Sequence, residues 1–485
     1  MIRDRFAPLL FITGTLLCGL AGLMLLPAIA DASASNPDWK AFTGSASVTL
    51  FVAIGLLLTS RTEAPMTLSL RQAFLLTAGG WVTVSIFSAL PFLLFNRDLG
   101  LANAVFEAVS GLTTTGSTVL VNLDAMPPGI LLWRSLLQWL GGLGIIVTAM
   151  TMLPFLKVGG MQLFRTESSD QSEKVVPRAG QLAAYVATTY GTLTIACAVA
   201  YMIGGMTPFD AVNHAMTTLA TGGYSTHDAS FGFFADTNLD LISIVFMILG
   251  VLPFVLYIRA VKGDPLIIWR DSQVRAFLGY LGIAIALVAL SIERADGIGF
   301  LDALRRSAFN ITSIVTTTGY ANEDYQLWGP FAIGAFFLCT LSGACAGSTS
   351  GGVKIYRFQI AWKICLRQLR GLIEPNSISQ MSFNGRRLQP EILSSVLTFL
   401  FMYLASLVVL SVALTATGVD LLTAVSGVAQ SLANVGPGLG PIIGPAGNFL
   451  SLPDSAKYLL AAAMLLGRLE LLTVLVLFQS AFWKW

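Results

Sequence analysis

Charge is scarce in this chain. Of its 485 residues, 11% are Asp, Glu, Lys or Arg, against roughly 25% in a soluble domain. Hydrophobic residues make up 55% and the mean hydropathy is +0.75. A soluble multidomain enzyme is excluded, and the chain reads as a polytopic, all-helical membrane protein. Histidine is scarcer still: His214 and His227 are the two present, neither with a second histidine at ligand spacing, so a metal centre is not expected. The five cysteines, Cys18, Cys197, Cys339, Cys345 and Cys365, lack metal-ligand spacing and read as unpaired thiols. No nucleophile–base pattern, nucleotide fingerprint or nucleic-acid module is present. Neither catalysis, a bound cofactor nor a nucleic-acid partner is expected.

Long hydrophobic runs are what the chain has in abundance. A span needs about 20 apolar residues, and ten stretches qualify: 7–29, 42–60, 73–95, 130–156, 181–204, 238–258, 276–292, 329–353, 392–415 and 456–482. The first, from Ala7 to Ala30, exceeds the roughly 7–15 apolar residues of a signal peptide and is read as a retained helix. With the N-terminus inside, twenty of the 28 Lys and Arg fall in cytoplasmic segments, as the positive-inside rule asks. Seven fall outside: Lys40, Arg97, Arg134, Arg294, Arg305, Arg306 and Lys457. Sixteen of the 26 acids also fall outside. An acidic outer surface concentrates cations at a pore mouth.

After two N-terminal helices one pattern recurs four times: span, short amphipathic segment, glycine turn, span. The short segments, 102–113, 208–219, 302–315 and 421–432, cannot cross a bilayer, and Asp210, Asp302 and Asp420 suit their starts. The turns read Thr113-Thr114-Thr115-Gly116-Ser117, Leu219-Ala220-Thr221-Gly222-Gly223, Thr316-Thr317-Thr318-Gly319-Tyr320 and Ala433-Asn434-Val435-Gly436-Pro437. One Thr-Thr-Gly is a weak signal; four at matching places are a strong one. Irregular backbone at membrane depth is tolerated only when buried in protein or lining water. Four such turns on one axis can offer backbone carbonyls to a dehydrated cation.

Aligned on Gly116, Gly222, Gly319 and Gly436, the residues one back are Thr115, Thr221, Thr318 and Val435. Two back stand Thr114, Ala220, Thr317 and Asn434. These twelve are the candidate ion-binding residues, with glycine supplying the backbone angles a tight ribbon needs. Nine residues before three of the glycines stand Glu107, Asn213 and Asn310, polar on otherwise apolar helices, and expected to hold the turn backbone.

Residues 342–352, Ser-Gly-Ala-Cys-Ala-Gly-Ser-Thr-Ser-Gly-Gly, fall inside a predicted span. Each glycine costs a helix roughly 1 kcal/mol relative to Ala, so this stretch should unwind and line the water path. In the last span stand Arg468 and Glu470, two apart and so not facing each other. Arg468 could donate to the 342–352 loop and hold it shut, or snorkel to the interface.

The four turns, the run Gln138-Trp139-Leu140-Gly141-Gly142-Leu143-Gly144 and the run Gly343-Ala344-Cys345-Ala346-Gly347-Ser348-Thr349-Ser350-Gly351-Gly352-Val353-Lys354 together carry a resemblance. The chain resembles the membrane subunit of Trk/Ktr/HKT potassium transporters, in the TrkH branch, which also has two extra N-terminal helices. The resemblance implies an all-α fold of four M1–pore helix–M2 repeats in pseudo-fourfold arrangement. Their bounds are 1–69 for the two N-terminal helices, then 70–180, 181–275, 276–391 and 392–485. It implies potassium uptake across the inner membrane, a homodimer in lipid, and a cytoplasmic nucleotide-binding regulatory subunit of RCK type, for which 157–180 and 354–391 are docking candidates. It makes Gly343, Gly347, Ser348, Thr349, Ser350, Gly351 and Gly352 an intramembrane gate. Serine at the first filter glycine marks sodium-favouring relatives; Gly116 points to potassium. A secondary transporter of another cation or small solute stays open as the competing reading.

Overall fold

The computed structural model describes residues 2–61, 68–151, 179–234, 238–376 and 380–484. Most of the 157–180 docking candidate lies outside these. Two helices come first, Ile2–Leu23 with its continuation Leu25–Ser33, and Trp39–Thr59. They pack on the first repeat through Leu17, Leu20, Met24 and Phe42 against Trp133 and Leu137. Asp31 fastens the junction by accepting the Gly129 N–H at 2.7 Å.

Each repeat then follows the expected order. The first spans are Leu70–Ser88 with Leu90–Phe95, Ala179–Ile203, Ser272–Asp296 and Pro390–Thr415. The half-helices are Leu101–Leu112, Pro208–Leu219, Phe300–Val315 and Leu421–Ala433. At 12 to 16 residues and 1.5 Å per residue, none reaches across a bilayer. Side-chain caps start the second and fourth. The Thr207 hydroxyl accepts the Asp210 N–H, and the Asp420 carboxylate accepts the Thr423 N–H, each covering one of the donors a helix start leaves open. Four apolar clusters centre on one repeat each, so every quarter carries its own core.

Two of the second spans, those of the second and fourth repeats, differ from the sequence reading. That of the first repeat, Pro128–Thr151, is continuous. The stretch 238–258 breaks into Leu239–Gly250 and Phe254–Val261, bent by 89°. Pro253, which has no N–H to give a helix, sits at that break as the cap of the second piece. The third span ends at Leu341 and resumes as Ile355–Ile373. The stretch 456–482 breaks after Asp454–Arg468, with a 105° bend. Glu470 and Leu471 take left-handed angles there, φ 59° and 38°, which non-glycine residues rarely adopt.

Candidate functional site

The four half-helices end at one place. Just past each end a residue turns left-handed: Thr114 (φ 54°), Thr221 (51°), Thr317 (60°) and Asn434 (55°). Two residues later comes a left-handed glycine: Gly116 (88°), Gly223 (74°), Gly319 (84°) and Gly436 (109°). The second turn is therefore one residue out of register with the alignment on Gly222. Its glycine is Gly223, the residue before it is Gly222, and the left-handed residue is Thr221 rather than Ala220. A Gly-Gly doublet hides this, because either glycine satisfies the pattern.

The corrected register closes a ring. A Cβ on Gly116 would run into the Gly222 carbonyl, one on Gly223 into that of Thr318, one on Gly319 into that of Val435, and one on Gly436 towards that of Thr115. Each turn thus abuts the next, first to second to third to fourth and back. Only glycine suits these places, because a side chain would meet both strain and a backbone atom. Thr114, Thr115, Thr221, Thr317, Thr318, Asn434 and Val435 are all buried.

The supports follow the corrected register. Glu107 accepts the Val119 N–H at 2.9 Å and the Thr118 hydroxyl at 3.0 Å, holding the chain after the first turn. At the matching place in the second repeat stands His214, not Asn213. Its Nε2 meets the Ser225 hydroxyl at 2.9 Å and its Nδ1 the Asp210 carbonyl at 2.8 Å. The carbonyl can only accept, so Nδ1 carries the proton and Nε2 receives the Ser225 hydroxyl. Tyr224 donates to the Glu107 carbonyl at 3.0 Å and Tyr320 to the His214 carbonyl at 3.2 Å, the same link in successive repeats. Asn213 turns back to the Phe209 carbonyl, and Asn310 bonds the Asn322 side chain at 2.6 Å. Neither reaches the turn backbone.

Supports that sequence reasoning missed are Gln138, Gln430, Ser117 and Arg134. Gln138 donates to the Gly222 carbonyl and accepts the Tyr224 N–H; Gln430 accepts from Ser117 and from the Gly436 N–H. Gln138 opens a run that the family resemblance singled out, which was the available signal. Arg134 is not an outer-surface charge: its side chain is 2% exposed and pairs with Glu107 at 2.8 Å.

Outside the ring lies a mouth of about 90 Å³, whose lining includes all four ring glycines, Arg134, His227 and Asp228. His227 Nδ1 meets Asp124 at 2.5 Å and its ring stacks on Phe233. That hydrogen bond holds the Asp124 carboxyl below its ordinary value.

Inside the ring lies the 342–352 loop. Its ends close on each other, with the Gly343 N–H donating to the Val353 carbonyl and the Ile355 N–H to that of Ala344. The Gly351 N–H donates to the Thr317 hydroxyl at 2.8 Å, directly beneath the third turn. Thr349 donates to the Gly250 carbonyl at 2.8 Å, and Gly347 accepts from the Phe254 N–H, which ties the loop to the break in the second repeat. Ser348 donates to the Cys345 carbonyl and meets the Ser350 hydroxyl. Arg468 Nη1 donates to the Thr349 carbonyl at 2.9 Å. Arg468 therefore reaches the loop rather than the interface. Lys354 donates to the next carbonyl, that of Ser350.

Glu470 pairs with Arg357 at 2.5 Å, and the Arg357 guanidinium lies 3.6 Å from the Phe399 ring centre. Lys354 and Arg357, read from sequence as cytoplasmic-loop charges, are buried. A cavity of about 20 Å³ is lined by loop residues from Gly347 to Gly352 together with Lys354, Arg468 and Glu470. The five cysteines are free thiols, and among the described residues no group of His, Cys, Asp and Glu could hold a metal.

The TrkH family profile, described as a cation transport protein, matches residues 40–484. The chain belongs to the TrkH family. Its similarity to the Trk system potassium uptake protein TrkI of Halomonas elongata is 47% identity, over 99% of this chain and 97% of that one. With the Trk system potassium uptake protein TrkH of Salmonella typhimurium it shares 37% identity over 99% and 100% of the two chains. The fold matches the crystal structure of the potassium transporter TrkH from Vibrio parahaemolyticus with a TM-score of 0.91 and 34% identity, over 99% and 100% of the chains. A TrkH-family fold explains why the four turns differ in sequence: one chain supplies all four quarters, so each can be supported differently.

Proposed function

We propose that this protein takes up potassium across the bacterial inner membrane through the ring of four turns, with the 342–352 loop as its gate. The observation that carries this is the closed ring itself. Four left-handed turns abut in cyclic order at the ends of four half-helices, between an outer mouth and an inner loop. Helix C-termini bear partial negative charge, and backbone carbonyls can replace the water shell of an incoming cation. The names of the relatives supply the choice of potassium, and Gly116 supports it.

In this mechanism the ion sheds water in the mouth and passes carbonyls of residues 114–116, 221–223, 317–319 and 434–436. It then meets the loop beneath Thr317. Arg468 and Lys354 hold the loop by two successive carbonyls and keep positive charge beside the route, so the shut state opposes leak. Opening requires those bonds to break. The N-terminus faces the cytoplasm, the protein works in lipid as a homodimer, and a nucleotide-binding regulatory subunit of RCK type acts on the cytoplasmic side.

The test is uptake by the full chain in proteoliposomes. Rubidium and potassium should enter well above sodium and lithium. Equal uptake of all four ions removes the potassium assignment, and uptake of an uncharged solute instead supports the competing secondary transporter.

A further inference from the structure

Arg134 is among the largest fully buried side chains in the protein. It stands on the first repeat's continuous second helix, Pro128–Thr151, yet its partners come from three other segments. Nε donates to Glu107 Oε1 on the first half-helix at 2.8 Å. Nη2 donates to the Thr118 hydroxyl after the first turn at 3.2 Å. Nη1 crosses to the second turn and donates to the Ser225 carbonyl at 2.8 Å. The guanidinium face lies 4.1 Å from the centre of the Tyr224 ring. One helical turn further on, Gln138 takes the Gly222 carbonyl and the Tyr224 N–H of the same strand.

The other three boundaries between turns are closed by neutral groups. Tyr320 meets Thr217 and the His214 carbonyl between the second and third. Gln326 holds Gly440 between the third and fourth. Ser117 donates to the Gly436 carbonyl, and Asn434 to Thr115, between the fourth and first. A buried ion pair is a poor device for stability alone, because desolvation offsets the attraction and apolar packing would serve as well. What arginine supplies is a planar fork with fixed donor directions, which sets distances that a flexible or neutral group leaves soft.

We propose that Arg134 is a positioning residue for ion discrimination. Its guanidinium fixes the gap between the first and second turns, so the ring cannot draw in around a smaller dehydrated ion on that side. The inference rests on the reading of the ring as a potassium filter and adds which residue sets its width.

The test compares rubidium and sodium uptake by the full chain in proteoliposomes at matched protein content. Four variants are needed: Arg134→Gln, Glu107→Gln, the two together, and Thr118→Val. The rubidium-to-sodium ratio should fall about tenfold in each single charge variant, the scale of one charge-assisted hydrogen bond. It should fall no further in the double variant, because the pair acts as one unit. Thr118→Val, which strands no charge, should shift the ratio in the same direction by less. A merely structural role would lower the amount of folded protein and leave the ratio alone. If the single variants do not accumulate, Thr118→Val and the double variant decide by the same ratio. Selective wild-type protein with unchanged ratios in the variants overturns the role of Arg134. Wild-type protein that does not discriminate overturns the filter reading and this inference with it.

Discussion

The ring and the loop beneath it are both irregular backbone at membrane depth, but they are held in opposite ways. The ring is built four times. Each turn rests on the next, and several supports reach it from behind. The loop exists once. Beyond its own closed base, it is fixed by one or two bonds each to Thr317, Gly250, Phe254, Gln273, Tyr280, Arg468 and Lys354. A structure supported from every side keeps its dimensions. One held by separate side-chain bonds has a second position available when those bonds are lost, which suits an element that must move.

The sharpest way to break the comparison is to strain the ring. Gly223→Ala and Gly319→Ala each place a Cβ on a left-handed backbone and into a neighbouring carbonyl. Strain of this kind costs about 1–3 kcal/mol, so potassium uptake should drop up to roughly 100-fold. Gly222 is not left-handed, and its added Cβ meets the carboxamide end of Gln138. Gly222→Ala should lose less, and uptake rates that rank Gly222→Ala below Gly223→Ala would restore the original register.

Freeing the loop should act in the opposite sense. Arg468→Ala removes a charge-assisted bond to the Thr349 carbonyl, worth roughly 1.5–3 kcal/mol. Basal flux in vesicles lacking any regulatory subunit should then rise about 10-fold or more. Unchanged flux at normal protein level counts against a gate here. Thr349→Val is milder. It removes only the hydroxyl bond to Gly250, worth roughly 0.5–1.5 kcal/mol, and the same assay should show a rise of about 2- to 10-fold.

The smallest effect belongs to the far end of the fourth half-helix, away from the ring. Asp420 caps the fourth half-helix, and its bond from Thr423 holds the carboxyl below the ordinary value. Asp420→Ala should lower stability by about 1 kcal/mol, and Asp420→Asn by much less. Because the folded carboxyl is the stronger acid, its contribution is complete above the unfolded value of about 3.9. It is lost only as pH falls through the lower folded value. Thermal melts in detergent at pH 7 and near pH 3 should show the difference between wild type and Asp420→Ala shrink at the lower pH.

Hydrophobic length made the repeats legible, and helix-start residues such as Asp420 placed the half-helices to within about two residues. What stayed hidden were features that depend on neighbours far along the chain. The Gly222-Gly223 doublet gave two valid alignments, and only the contact with Thr318 in the next repeat separates them. Arg134 looked like an outer-surface charge because its partner Glu107, read as a support of the turn, stands 27 positions away, and Arg357 and Glu470, 113 apart, gave no joint signal. The break at Glu470-Leu471 contains neither glycine nor proline. The pair of charges in an apolar run was its one trace.

The single copy of the loop has a kinetic consequence. In an assembly with four equal gates, opening can wait on four events, and the delay before conduction carries the signature of several steps. In the proposed mechanism one segment of one chain is the gate, so each subunit of the proposed dimer would open independently, by a single release. Dwell times in the shut state should then follow one exponential, and any steepness in the response to a regulator would originate in the regulator's own assembly.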